Sequence, residues 1–207
     1  MTNARYSANA VLLPGRMLLI VGGRNTAVLP NGYVLDPELL DLENPTATWQ
    51  VLAPHSQGRA YHSFALLLPD GRVLVGGGQR LNQTLPYYHA QIFSPPNLFA
   101  GPRPMISPGT DRDVTYGGTL TVRMSTVPPA GIGSFELIRP GSVTHSTDFE
   151  QRLVRLAFTP GAGPNEFVIT APATPDLAPP GWYMLFAVSG PAAGQRVPSV
   201  AHFVLLQ

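Results

Sequence analysis

The residues in this chain best suited to chemistry are its histidines and a few tyrosines. There are five histidines in 207 residues, at 55, 62, 89, 145 and 202, and Tyr61 directly precedes His62. Neutral imidazole is a good ligand for copper, and tetragonal sites of nitrogen and oxygen donors favour Cu(II). His62 and His145 are 83 positions apart, so spacing alone does not place them in one site. Cysteine is absent, which removes disulfides, thiolate metal sites and cysteine nucleophiles from these residues. The run Gly76-Gly77-Gly78 has no following Gly-Lys-Ser/Thr and is no phosphate loop. Asn82-Gln83-Thr84 has the form of a glycosylation acceptor on a loop, whereas Asn44-Pro45-Thr46 is disqualified by its proline. His55, His89 and His202 are read as hydrogen-bonded structural residues.

Composition narrows the classes further. Charged residues make up 12% of the chain, the net charge is +1 and no Lys/Arg run occurs, so nucleic acid is not an expected partner. The apolar run Met17 to Val21 is too short for a membrane span or a signal-peptide core, so no export signal is legible. Hydrophobic residues at 44% suffice for a core, and Gly 21 with Pro 23 favours strands and turns over helices.

Those turns recur about every ten residues, at Pro14-Gly15, Gly22-Gly23, Asn31-Gly32, Asp70-Gly71 and Gly76 to Gly78. No segment has helical spacing, although Pro37 to Leu42 suggests one short turn. The stretch Arg5 to Gly23 (RYSANAVLLPGRMLLIVGG) repeats as Arg59 to Gly77 (RAYHSFALLLPDGRVLVGG), each copy a strand, a tight turn, a strand and Gly-Gly. A repeat of this length and layout is similar to the kelch motif, which builds one propeller blade per copy. About two blades cannot shelter their own faces, so the rest of a propeller must come from a longer chain or a partner chain. Five prolines between Ser94 and Pro108 mark a stiff boundary. Beyond it, Leu120, Val122 and Met124 alternate with polar neighbours, and Trp182 to Val188 is apolar on both faces. About seven such strands in roughly 100 residues predict an immunoglobulin-like sandwich. The expected fold class is therefore all-β, with a partial kelch propeller at 1–99 followed by an immunoglobulin-like sandwich at 100–207, which the family resemblance given next makes an early-set domain.

Several segments together resemble the C-terminal portion of the galactose oxidase/glyoxal oxidase family of copper-radical oxidases. They are Arg59-Ala60-Tyr61-His62-Ser63 with LLLPDGRVLVGGG, Ala90 to Pro95, Ser142-Val143-Thr144-His145-Ser146, Gln151-Arg152, Pro180 to Phe186, and Val197 to Ala201. The resemblance implies a seven-bladed propeller with a sandwich loop reaching its axis, where two histidines and two tyrosines bind one copper ion. One of those tyrosines carries a radical and is cross-linked to a cysteine. It further implies oxidation of primary alcohols, aldehydes or carbohydrates, O2 as co-substrate, H2O2 as product, and an extracellular location. By the same resemblance Tyr61 is the axial tyrosine and general base, and His62 and His145 are the two histidine ligands. Gln151-Arg152 is read as fixing the His145 loop against its strand. For Tyr61 and His62 to reach one ion the backbone must be irregular there, because neighbours on a regular strand point to opposite faces.

The radical cofactor cannot form from a chain without cysteine, so these residues by themselves are expected to be inactive. Two other readings stand beside the oxidase. One is a non-catalytic extracellular glycan-binding or adhesion module, since fold does not fix function. The other is a degenerate fragment with exposed blade faces.

Overall fold

The computed structural model describes residues 1–25, 32–78, 88–190 and 196–207; the Asn82-Gln83-Thr84 triplet and Asn31 lie outside them. In chain order the strands are β1 (Tyr6–Leu13), β2 (Met17–Arg24), β3 (Glu38–Asp41), β4 (Gln50–Val51), β5 (Ser63–Leu67), β6 (Val73–Gly77), β7 (Gln91–Phe93), β8 (Met105–Ile106) and β9 (Asp113–Val114). They continue as β10 (Thr119–Thr126), β11 (Ile132–Ile138), β12 (Val143–Thr144), β13 (Thr147–Asp148), β14 (Leu153–Leu156), β15 (Phe158–Pro160), β16 (Glu166–Thr170), β17 (Gly181–Ser189) and β18 (His202–Leu206). Among the described residues the one helical element is a 3-10 turn at Pro96–Phe99. The chain is all-β.

Contacts divide it into two compact units. The first holds Met1–Leu68, Arg72–Phe93 and Gly141–Gln151; the second holds Pro69–Gly71, Ser94–Pro140 and Arg152–Gln207. In the first unit, β1-β2-β3-β4 and β5-β6-β7 are two up-and-down antiparallel sheets, and the separate small hairpin β12-β13 lies against β1 and β5. Val11, Leu13, Leu19 and Val21 from one sheet pack with Ala65, Val73 and Val75 from the other. Pairing of Ala8 with Gly22 and of Ser63 with Gly77 sets the repeat at an offset of 55, which aligns Tyr6 with Tyr61 and Ser7 with His62. The expected turn around Pro37 to Leu42 is instead β3, because Glu38 to Asp41 find backbone partners along Ile20 to Met17 of β2.

β3 also anchors the start of the chain. Glu38 is fully buried and accepts the Thr2 N–H at 2.5 Å, the Asn3 N–H at 3.1 Å and a short ion-pair contact from Arg5. Arg5 spends its remaining donors on the carbonyls of Gly22 (3.1 Å), Asp36 (3.0 Å) and Asn3 (3.1 Å). Burial by itself would raise the Glu38 pKa, but the Thr2 and Asn3 N–H groups and the Arg5 guanidinium outweigh it and hold the carboxyl below its ordinary value.

The second unit is a sandwich of β15-β16-β10-β8 against β14-β11-β17-β18-β9. Leu120, Val122 and Met124 point into its core opposite Phe135, Leu137, Tyr183, Leu185 and Ala187. β17 lies at the centre of its sheet and is buried from Tyr183 to Ser189, as its two-sided apolar pattern predicts. Nine strands form where about seven were expected; the additional ones are two-residue edge pieces, β8 and β9. β8 runs through the proline-rich stretch and sits at a sheet edge, where prolines leave no ladder bond unmade.

Candidate functional site

Tyr61, His62 and His145 all belong to the first unit, and their rings converge. Nε2 of His62 lies 3.2 Å from Nε2 of His145. The Tyr61 ring centroid is 3.9 Å from that of His62 and 5.6 Å from that of His145. Tyr61 is 48% exposed, so its ring faces open space rather than the core.

Two turns aim these side chains. The Ser63 N–H bonds the Ala60 carbonyl at 2.8 Å, making Tyr61 and His62 the central residues of a four-residue turn, and His62 has φ 62°. A positive φ at the third position is the mark of a type II turn, which normally demands glycine there. This turn supplies the irregular backbone that lets neighbouring side chains face one point. His145 and Ser146, with φ 52° and 63°, form the two-residue tip of the β12-β13 hairpin. Positive φ at both central positions is the type I′ signature, again a glycine or asparagine geometry. Ser7, the counterpart of His62 in the first sheet, also has positive φ, at 53°. Non-glycine residues in this region cost about 1–3 kcal/mol each, and they persist where surrounding structure over-determines them.

That surrounding structure is visible. The carbonyl of Arg59 accepts the Gly23 N–H at 2.6 Å, and the carbonyl of His62 accepts the Gly78 N–H at 3.1 Å. Arg59 is fully buried and donates to the carbonyls of Gly77 at 2.6 Å and His89 at 2.8 Å. Asn9 of β1 donates to the Ser63 hydroxyl of β5 at 2.9 Å. The hairpin is tied to β1 by Ser146 Oγ to the Ser7 carbonyl, 3.3 Å, and by the Leu12 N–H to Gln151 Oε1, 2.6 Å. The repeated Gly-Gly pairs therefore hold the Arg59 to His62 backbone, besides punctuating the strands. A Cβ on Gly77 would stand 2.8 Å from the His62 carbonyl oxygen, and Gly77 has φ 65°. Gly77→Ala is expected to lower stability by about 2 kcal/mol and to disturb the His62–His145 pair; urea denaturation and the histidine ring NMR shifts check both.

The His145 ring has one further partner. Its Nδ1 lies 2.8 Å from Thr144 Oγ1. When that hydroxyl accepts the Nδ1 proton, Nε2 carries the lone pair that points toward His62. Thr144 was quoted in the sequence motif without a role; its position beside His145 was the available signal.

The remaining histidines lie apart from this group, and His55, expected to be hydrogen-bonded, has both ring nitrogens buried without a hydrogen-bond partner among the described residues. Desolvation lowers the pKa of His55, and Arg59 and Arg5 push it the same way, against opposing effects of the Gln57 backbone and Asp36. His89 lends its carbonyl to Arg59, and His202, in the second unit, has Nε2 3.2 Å from the Asp111 carbonyl.

Two imidazole nitrogens, each about 2.0–2.1 Å from one ion, lie roughly 2.8–3.4 Å apart at bond angles near 90–110°. The observed 3.2 Å falls in that interval, and the phenol ring stands beside it. The two imidazole nitrogens are therefore spaced to reach a single ion, with the Tyr61 ring beside them.

Residues 103–206 match the family described as galactose oxidase-like, early set domain. The chain belongs to the galactose oxidase-like early-set family. It is 35% identical over 96% of its length to a galactose oxidase of Gibberella zeae and 31% identical over 99% of its length to an aldehyde oxidase of Arabidopsis thaliana. A solved structure of a fungal alcohol oxidase of the AA5 family, in complex with copper, matches 100% of this chain with a TM-score of 0.85 at 30% identity. The galactose oxidase-like chain spans 29% of the Gibberella protein, 36% of the Arabidopsis protein and 43% of the fungal structure. Among the described residues no helix is long and apolar enough to cross a membrane.

Proposed function

We propose that this chain is the C-terminal part of a copper-radical oxidase, with Tyr61, His62 and His145 as three ligands of one copper ion. The whole protein would oxidise a primary alcohol or aldehyde with O2; for an alcohol, RCH2OH and O2 become RCHO and H2O2. In this reading 1–99 is part of a kelch propeller, 100–207 is the immunoglobulin-like sandwich, and the protein works outside the cell. The observation that carries the reading is the 3.2 Å approach of the two Nε2 atoms beside the Tyr61 ring. Two nitrogens and an oxygen suit Cu(II).

Bound copper would supply Lewis acidity and one-electron redox capacity. The protein's own residues do the rest. His62 and His145 would present their Nε2 atoms from turns whose backbone is held by the Gly78 N–H on the His62 carbonyl and by Ser146 on the Ser7 carbonyl. Thr144 keeps the His145 proton on Nδ1. Tyr61 takes the substrate's hydroxyl proton on its phenolate oxygen, a form favoured by a neighbouring cation. Removing two electrons requires a second redox group. With no cysteine in the 207 residues, a tyrosine–cysteine cross-link must lie outside them.

Thr144→Val should weaken Cu(II) affinity about 10–100-fold, with Thr144→Ser restoring most of it; competition against a chelator of known affinity measures this. The activity itself is tested on the native protein containing these residues, supplied with copper and assayed for O2 uptake and H2O2. Equal consumption and release with an alcohol or aldehyde, lost in His145→Ala, is expected. Glycan binding with neither bound copper nor O2 uptake would favour the glycan-binding reading, which the missing cysteine motivates.

A further inference from the structure

The second unit carries a cavity of about 360 Å3 that has no part in the Tyr61–His62–His145 group. Its walls are mostly apolar, formed by Pro104, Met105, Ile106, Pro108, Val200 and Ala201. Met105 and Val200 are 55% and 54% exposed, although both are large apolar side chains. Exposed apolar groups at the mouth of a concave site are a recurrent feature of ligand pockets, as is a volume in the range of about 300–1,000 Å3.

The polar groups in the wall are all basic: Arg103, Arg112 and His202. Arg103 is half-buried, and its guanidinium donates to three backbone carbonyls, Pro198 at 2.9 Å, Asp70 at 2.8 Å and Ser199 at 2.9 Å. Carbonyls satisfy its protons without cancelling its charge; the Asp70 carboxylate acts on it through space. Arg112 is exposed, with Asp111 and Asp113 as its chain neighbours. Its backbone carbonyl holds the Leu205 N–H at 2.6 Å, which fixes the segment while the guanidinium stays available. His202 is 8% exposed, and its Nε2 lies 3.2 Å from the Asp111 carbonyl, which holds the ring in the wall. Two guanidiniums beside an apolar floor, with no acidic side chain in the wall, select an anion with an apolar body.

We propose that this cavity is a binding site for a small amphipathic carboxylate, its apolar part against Met105, Ile106 and Val200 and its carboxylate on Arg112. A guanidinium–carboxylate contact is charge-assisted and planar, so Arg112 sets head-group preference while the floor sets affinity for the tail. The site is independent of the oxidase reading and stands or falls without it.

The test is calorimetric titration of the full chain with octanoate and with octanamide, a neutral analogue of the same length. Saturable binding of one octanoate per chain is expected, at least about tenfold tighter than octanamide. Arg112→Gln, a surface change, should reduce that preference to near unity while leaving the thermal unfolding midpoint in place. Val200→Trp, which fills the mouth, should abolish binding of both. Absence of saturable octanoate binding overturns the proposal, and so does a carboxylate preference that survives Arg112→Gln or binding that survives Val200→Trp.

Discussion

Replacing His145 by glycine is expected to have two effects of opposite sign. Copper affinity should fall by more than about 100-fold, because even an outer partner of a ligating histidine is worth about 10–100-fold and here a ligand itself is removed. Stability should rise by about 1 kcal/mol, because His145 has φ 52° and glycine occupies that region without steric cost. A residue kept for structure would not lose stability by being present. His145→Ala separates the two effects, removing the imidazole while keeping the Cβ that makes the conformation costly. It should lose copper to the same degree without the gain in stability. Chelator competition and urea denaturation on the three proteins measure the pair of effects. Equal copper affinity in all three would remove His145 from the site.

The largest purely structural effect is expected at Glu38. Glu38 and Arg5 are both fully buried as a pair, and Glu38 also holds the Thr2 and Asn3 N–H groups. Glu38→Ala leaves the Arg5 guanidinium buried beside unpaired N–H donors. Breaking a buried pair in this way costs about 3–5 kcal/mol. The loss should reach the candidate site, because Arg5 bonds the Gly22 carbonyl and Gly23 bonds the Arg59 carbonyl, two residues before Tyr61. The pair also imposes a pH dependence. The folded-state pKa of Glu38 lies below the ordinary carboxylate value, so its contribution is fully present above that ordinary value and is lost as pH falls through the folded one. Glu38→Gln should flatten that acid-side decline. Denaturation of wild type and both variants between pH 7 and pH 3 provides the check.

Much of this architecture is legible in the sequence because its periodicities are physical. Alternation in Leu120 to Met124 and the two-sided run Tyr183 to Val188 report burial directly. The duplicated strand–turn–strand–Gly-Gly segment reports the two sheets of the first unit. β3 has the local pattern of a turn because Pro37 and Asp41 weigh locally, whereas pairing with β2 is a tertiary event. The site was less legible. An 83-residue separation hides the approach of His62 to His145, and positive φ at His62, His145 and Ser146 is the opposite of what those residue types suggest. The role of Thr144 and the clasp of Gly23 and Gly78 on neighbouring carbonyls depend on turn geometry that no local pattern encodes. The sandwich cavity was invisible for the same reason: Arg103, Arg112 and His202 come together only through strand pairing.

The central claim is that Tyr61, His62 and His145 bind one copper ion. Its most direct test is electron paramagnetic resonance of the Cu(II)-loaded protein with 15N-labelled histidine. One copper per chain with hyperfine coupling to two imidazole nitrogens, reduced to one in His145→Ala, is the predicted result. A copper signal without imidazole coupling, or coupling that is unchanged in His145→Ala, would contradict it.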